Sequence, residues 1–192
     1  MELEEIVKDV KTHMSERRYA HSLGVMKRIE ELAKIYGVDV EKAKKVGIAH
    51  DIAKEMTKQE SLKYADENDI ELDEIEKEIP YLLHGKIGAD MAKKLYNFDE
   101  QMQKAIIYHT TGNPEMDMLA KILYAADKTE ENRNFAQYDV EYERNLANTN
   151  IDEALIFMLG ETIKFGVDTK KLIHPNSLNT RNTLLIKIQK SL

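Results

Sequence analysis

Residues 39–54 read DVEKAKKVGIAHDIAK, and how this stretch folds decides the architecture of the chain. Asp39 is a helix-capping residue, its short carboxylate placed to accept from backbone N–H groups that have no partner within the helix. Behind it Ala43, Val46, Ile48 and Ala49 recur at helical rather than alternating spacing. The helix then delivers His50 and Asp51 side by side, behind a stripe of small apolar residues. A carboxylate buried beside an imidazole is costly unless something compensates it, and a divalent cation compensates both.

The same period extends in both directions. Leu3, Ile6, Val7, Val10 and Met14 form one stripe. Ser15 can cap a second helix, with Leu23, Met26, Ile29, Ala33 and Tyr36 on its inner side and Gly37 as its stop. Thr57 with Glu60 makes a capping box for a helix over 58–67. Segment 68–80 is acidic and reads as loop with a short helical piece. Pro80 suits the first turn of a helix running through Leu83 and His84 to about Tyr96. Asp99 caps the next, through Ile106 and His109; Gly112-Asn113-Pro114 is a turn; Asp117 caps a helix that ends near Asp127. Further helices are expected near 139–147, 151–165 and 175–190, with Gly166 as a C-cap. No period-2 strand stands out. The expectation is one compact all-α domain of about eight to ten helices.

Composition sets the outer limits. The 192 residues suit a single domain, with 42% hydrophobic and 33% charged residues, few Gly and Pro, and no Trp. The formal charge of −7 argues against nucleic acid or an anionic membrane as partner. A phosphate ligand must therefore be held by local cations or by a metal. The absence of cysteine excludes disulfides and thiolate metal sites. Residues 1–15 carry acids and no long apolar run, unlike a signal peptide, and no stretch approaches the roughly 20 apolar residues that span a bilayer. A cytoplasmic protein is expected.

Other residues join the His50-Asp51 pair. His21 lies mid-helix, with Gly24 one turn on to let another backbone or a ligand approach. Asp127 closes the apolar run Ile122-Leu123-Tyr124-Ala125-Ala126. Singly, such residues have ordinary readings, a hydrogen-bonded core histidine or a helix-end acid. Jointly, with His84 and His109 on further helices, they form a pattern. Two His and two Asp leave coordination positions open, the character of a catalytic metal site. Nitrogen and oxygen donors suit Fe, Mn, Zn, Co or Ni better than Mg or Ca.

The motifs RYAHSLGVM (18–26), AHDIAK (49–54), LHG (83–85), YHTTG (108–112) and YAADKTEENR (124–133) stand in an order that resembles the HD superfamily of metal-dependent phosphohydrolases, and within it the YqeK-type branch. The resemblance covers roughly residues 15–135 and fades beyond. It implies a single HD-domain helical bundle over 1–192, with a metal-site core at about 15–135 and C-terminal helices over 136–192. It implies symmetrical hydrolysis of diadenosine tetraphosphate into two ADP, with a dinucleoside polyphosphate or ADP as the bound partner. It also implies an iron-type centre held by His21, His50, Asp51 and Asp127.

His84 and His109 are expected to act in catalysis, touching phosphates or a metal-bound water; a one-metal site is preferred to a two-metal site. Arg18, Lys54 and Arg133 are the cations nearest the motifs, and a tetraphosphate would gather them. Leu83, Thr110 and the loop residues Lys170, His174 and Pro175 complete the expected substrate contacts, together with the ligands His21 and Asp127. The alternatives are an HD-type enzyme for another nucleotide or an alarmone, and a nucleotide sensor without catalysis. The many apolar helices suggest a homodimer.

Overall fold

The computed structural model describes residues 1–133 and 139–190. Among these residues the chain forms eleven α-helices and no strand. In chain order they are α1 (Leu3–Val10), α2 (Glu16–Tyr36), α3 (Val40–Ala49), α4 (Lys58–Glu67), α5 (Glu74–Glu78), α6 (His84–Tyr96), α7 (Glu100–Tyr108), α8 (Met118–Thr129), α9 (Val140–Thr149), α10 (Ile151–Asp168) and α11 (Pro175–Gln189). The five-residue α5 is the short helical piece expected in the acidic segment, and it brings the count to eleven.

The caps explain where these helices start. Ser15 accepts from the N–H of Arg18, Asp39 from Lys42, Asp99 from Met102 and Asp117 from Ala120. Thr57 and Glu60 form the reciprocal capping box of α4. Gly37 ends α2 in the left-handed region at φ 67°, where a side chain would be strained.

Two sequence expectations are corrected. Pro80 opens a 3₁₀ turn, Pro80–Leu83, and the α-helix begins only at His84. Ile79, kept out of the helical region before the proline at φ −121° and ψ 71°, hands the chain over through the tighter turn. Gly166 is not a C-cap, because α10 runs on to Asp168 with Thr169 as its cap. The left-handed residue is Lys170, at φ 54°. Gly166 instead admits Ile173, whose Cγ1 would lie 2.5 Å from a Cβ at that position.

The core is built around α8. From Leu119 to Ala126 every residue of this helix is buried, so it has no solvent face. Lys121, the exception in chemistry, is paired with Asp152 at 2.6 Å. Helices α2, α3, α7, α9 and α10 pack around it. Asp127 therefore sits at the end of the most enclosed helix of the bundle. The expected boundary between core and C-terminal helices, at 135/136, lies outside the described residues. No helix among the described residues is long and apolar enough to cross a membrane.

Candidate metal centre

Three helices bring the four expected ligands together. His21 lies in the second turn of α2, whose start is tied down where Glu55 accepts from both the N–H and the hydroxyl of Ser15. His50 caps α3, and Asp51 follows in a turn continued by Lys54 N–H donating to the Asp51 carbonyl at 2.9 Å. The pair thus projects from a helix end, as two adjacent residues must if both are to reach one ion. Asp127 comes from α8. The Nε2 of His21 lies 3.0 Å from Asp127 Oδ1 and 3.8 Å from Asp51 Oδ2. The Nε2 of His50 lies 3.5 Å from Asp51 Oδ2 and 3.7 Å from Asp127 Oδ1.

A second pair of imidazoles faces the other oxygen of Asp51. His84 Nε2 and His109 Nε2 are each 3.4 Å from Asp51 Oδ1, and 3.0 Å from each other. Their tautomers follow from their other nitrogens. His50 Nδ1 lies 2.8 Å from the Gly47 carbonyl, His84 Nδ1 2.6 Å from that of Tyr81, and His109 Nδ1 2.6 Å from that of Ile106. A carbonyl oxygen only accepts, so each Nδ1 carries a proton and donates it. Each ring therefore turns its Nε2 towards the centre, where a neutral ring offers a lone pair. Backbone support of this kind fixes the orientation of metal-binding histidines.

Whether the residues suit a metal can be judged from the donors. His50 Nε2 and Asp51 Oδ1 are buried with no hydrogen-bond partner. Buried polar atoms without partners are costly, and a cation placed among them, a proton on His50 or a metal in its stead, relieves that cost. Two overlapping triads have ligand atoms within 4.8 Å of one another: His21, His50 and Asp127, and His50, Asp51 and His109. The donor set fits an N/O-coordinated metal.

The electrostatics agree. Burial opposes ionisation of both Asp51 and Asp127, yet their neighbours hold both carboxyls well below the usual range. For Asp51 these are His50, His109 and Lys54; for Asp127 they are His21, His50 and Arg133. His84 is pushed well down by burial, then by Lys54 and His109. His109 is also lowered by burial, although Asp51 pulls it back up. Both stay neutral near pH 7.

The expected cations also reach the centre. Arg18 Nη1 donates to Asp51 Oδ2 at 2.8 Å, and Arg133 Nη2 to Asp127 Oδ1 at 2.8 Å. Lys54 Nζ donates to His84 Nε2 at 2.8 Å and lies 4.4 Å from the centre of the Tyr81 ring. Thr110 Oγ1 is 3.1 Å from His84 Nε2 and 3.2 Å from His109 Nε2, so its single hydrogen serves one of the two.

Other expected contacts stand elsewhere. Leu83 is fully buried with Ala53 and Ile87, so its side chain packs the core rather than the site. Beside Thr110 lies a largely apolar cavity of about 650 Å³, lined among others by Tyr81, Leu82, Phe165, Ile173 and His174. Lys171, not Lys170, borders it. Lys170 is exposed on its left-handed turn, and Pro175 is the exposed first residue of α11. His174 is anchored on both nitrogens: Nε2 donates to Asp73 Oδ2 at 2.6 Å, and Nδ1 accepts from the N–H of Asn176.

One important residue escaped the sequence reading. Glu130, about 1% exposed, accepts from His21 Nδ1 at 3.2 Å and from the N–H of Asn132 at 2.6 Å. It is the carboxylate behind the His21 imidazole, the arrangement that orients a metal-bound histidine. Gly24 makes room for it, since a Cβ there would lie 2.5 Å from Glu130 Oε2. The pairing of Gly24, one turn after His21, with an acid three residues after Asp127 was the available signal.

Comparison with known proteins agrees with this geometry. Residues 18–132 match the HD domain family. The chain is 38% identical to a Halalkalibacterium halodurans protein named "Bis(5'-nucleosyl)-tetraphosphatase, symmetrical", over 93% of this chain and 94% of that one. A Bacillus subtilis protein of the same name is 34% identical, over 96% and 98%. A crystal structure from Clostridium acetobutylicum, described as a "predicted HD superfamily hydrolase involved in NAD metabolism", superposes with a TM-score of 0.91 at 37% identity, covering 96% of this chain and 97% of that one. With the family matched over more than half its length and the His-Asp pair at its centre, the chain belongs to the HD domain family.

Proposed function

We propose that this chain is a metal-dependent phosphohydrolase that cleaves diadenosine tetraphosphate symmetrically into two ADP. The observation that carries the reading is the convergence of two imidazole nitrogens and two carboxylates on one point, with His50 Nε2 and Asp51 Oδ1 buried there without hydrogen-bond partners, beside a neutral histidine pair and three cations. The names of the two bacterial relatives supply the substrate.

His21, His50, Asp51 and Asp127 would hold the metal. The N/O set suits iron, and Mn, Co, Ni or Zn fit the same ligands. When bound, such a metal makes hydroxide accessible at neutral pH and offsets charge on a phosphate oxygen. The chain's own groups do the rest. His84 and His109 present neutral Nε2 lone pairs that can accept a proton from an attacking water. Lys54 and Thr110, donating to these nitrogens, stand within reach of phosphate oxygens drawn to the same place. Arg18 and Arg133 add guanidinium groups suited to a tetraphosphate. The apolar cavity beside Thr110, closed on one side by Ile173 and His174, receives a nucleoside.

The test is hydrolysis of diadenosine tetraphosphate by purified protein, before and after chelation and after single metals are restored. ADP as sole product, lost on chelation and regained with one metal, supports the proposal. AMP with ATP as products, or no turnover with any metal, rejects it. Changing His84 or His109 to Asn should cut kcat by about 10²–10⁴-fold while metal content is retained.

A further inference from the structure

Asp51 divides the centre into two sides. Its Oδ1 faces His84 and His109, which lead through Thr110 to the apolar cavity. Its Oδ2 faces His21 and receives Arg18. On that second side lies a separate cavity of about 350 Å³, lined by Arg17, Arg18, Ala20, His21, Asn132 and Arg133, with Glu130 behind His21. Its chemistry is the opposite of the first. Three guanidinium groups border it: Arg18 and Arg133 also reach the carboxylates Asp51 and Asp127 behind it, Arg17 is exposed at its edge, and the one carboxylate of its lining, Glu130, is engaged by His21 and the Asn132 N–H. Arg18 Nε is buried there without a hydrogen-bond partner, although the same side chain donates to Asp51. In a chain of net charge −7, such a concentration of positive charge in one concavity marks an anion site.

Resting on the function proposed above, we propose that this arginine-lined cavity is a second nucleoside diphosphate subsite, holding the half of the dinucleotide that the apolar cavity does not. A symmetrical cut breaks the central P–O–P bridge, leaving two phosphates on each side. The water oxygen bonds to one of the two central phosphorus atoms, and the bridging oxygen leaves with the other diphosphate. Both halves then need a place, and only one can occupy the apolar chamber. The opposite side offers guanidinium groups for its phosphates and the Asn132 amide for a ribose or base edge.

The test uses two substitutions at exposed positions outside the centre, Arg17→Glu and Ala20→Phe. The first reverses a charge and the second fills the cavity, and neither removes a buried contact. Titration of ADP into the metal-loaded protein should give two ADP per chain for the wild type and one for each variant. The KM for diadenosine tetraphosphate should rise about tenfold or more in both, the scale of one lost charge-assisted phosphate contact. One ADP per wild-type chain, or an unchanged KM in both variants, overturns the second subsite while leaving the symmetrical hydrolase intact. A wild type that makes no ADP from the dinucleotide removes the underlying function, and the subsite with it.

Discussion

Burial lowers the basicity of His50, yet Asp51 and Asp127 overcome this and push its pKa up to about 9. Metal-free protein therefore carries a proton on His50 at neutral pH, and a metal must displace it. Metal binding should release a proton, and apparent metal affinity should climb about tenfold per pH unit towards pH 9; a flat affinity between pH 7 and 9 would contradict the assignment. In the metal-free protein the same group stabilises the fold fully below its ordinary value of 6.5, and the contribution is lost as pH rises through about 9. Glu130 gives a separate prediction. Glu130→Ala removes the carboxylate that orients His21 and should weaken metal affinity about 10–100-fold, measured by chelator competition. The sequence reading singled out His21, His50, Asp51 and Asp127 as candidates because their motifs are local, and the fold brings the four together. It missed Glu130, because an acid near a helix end looks the same whether it faces water or an imidazole from 109 residues earlier in the chain.

Helices α2, α8 and α9 are clasped by a single buried arginine. Arg28 donates through Nε to Thr129 Oγ1, through Nη1 to Glu31 and through Nη2 to Asn148 Oδ1. Replacing it with Met leaves Asn148 and Thr129 short of a donor. Arg28→Met should cost about 1–3 kcal/mol in denaturant unfolding, with faster amide exchange in α9. An unchanged midpoint would show that the clasp is idle. Helix starts were legible from the sequence, because Ser15, Asp39, Thr57, Asp99 and Asp117 act on N–H groups within three residues. The end of α10 was not, because Gly166 serves a contact with Ile173 across a loop rather than the helix terminus.

At the scale of the molecule, the candidate ligands come from α2, the end of α3 and α8, segments that share no bond but the core. A metal held by all three favours the folded state over the unfolded one by mass action, about 4 kcal/mol at a thousandfold excess over Kd. For a chain of this size that should raise Tm by roughly 8–16 °C. The shift should vanish in His50→Ala, read by differential scanning calorimetry with and without metal. An equal shift in that variant would place the metal elsewhere.

By itself the sequence determined an all-helical chain and the starts of its helices, and it marked four candidate ligands, because caps, helical period and the His-Asp pair act over a few residues. Tertiary structure alone decided which lone pairs meet. It set Glu130 behind His21, turned His84 and His109 towards the other oxygen of Asp51, and opened one apolar and one arginine-lined cavity on either side. These depend on how helices cross around α8, and no spacing along the chain encodes the distance between side chains a hundred residues apart.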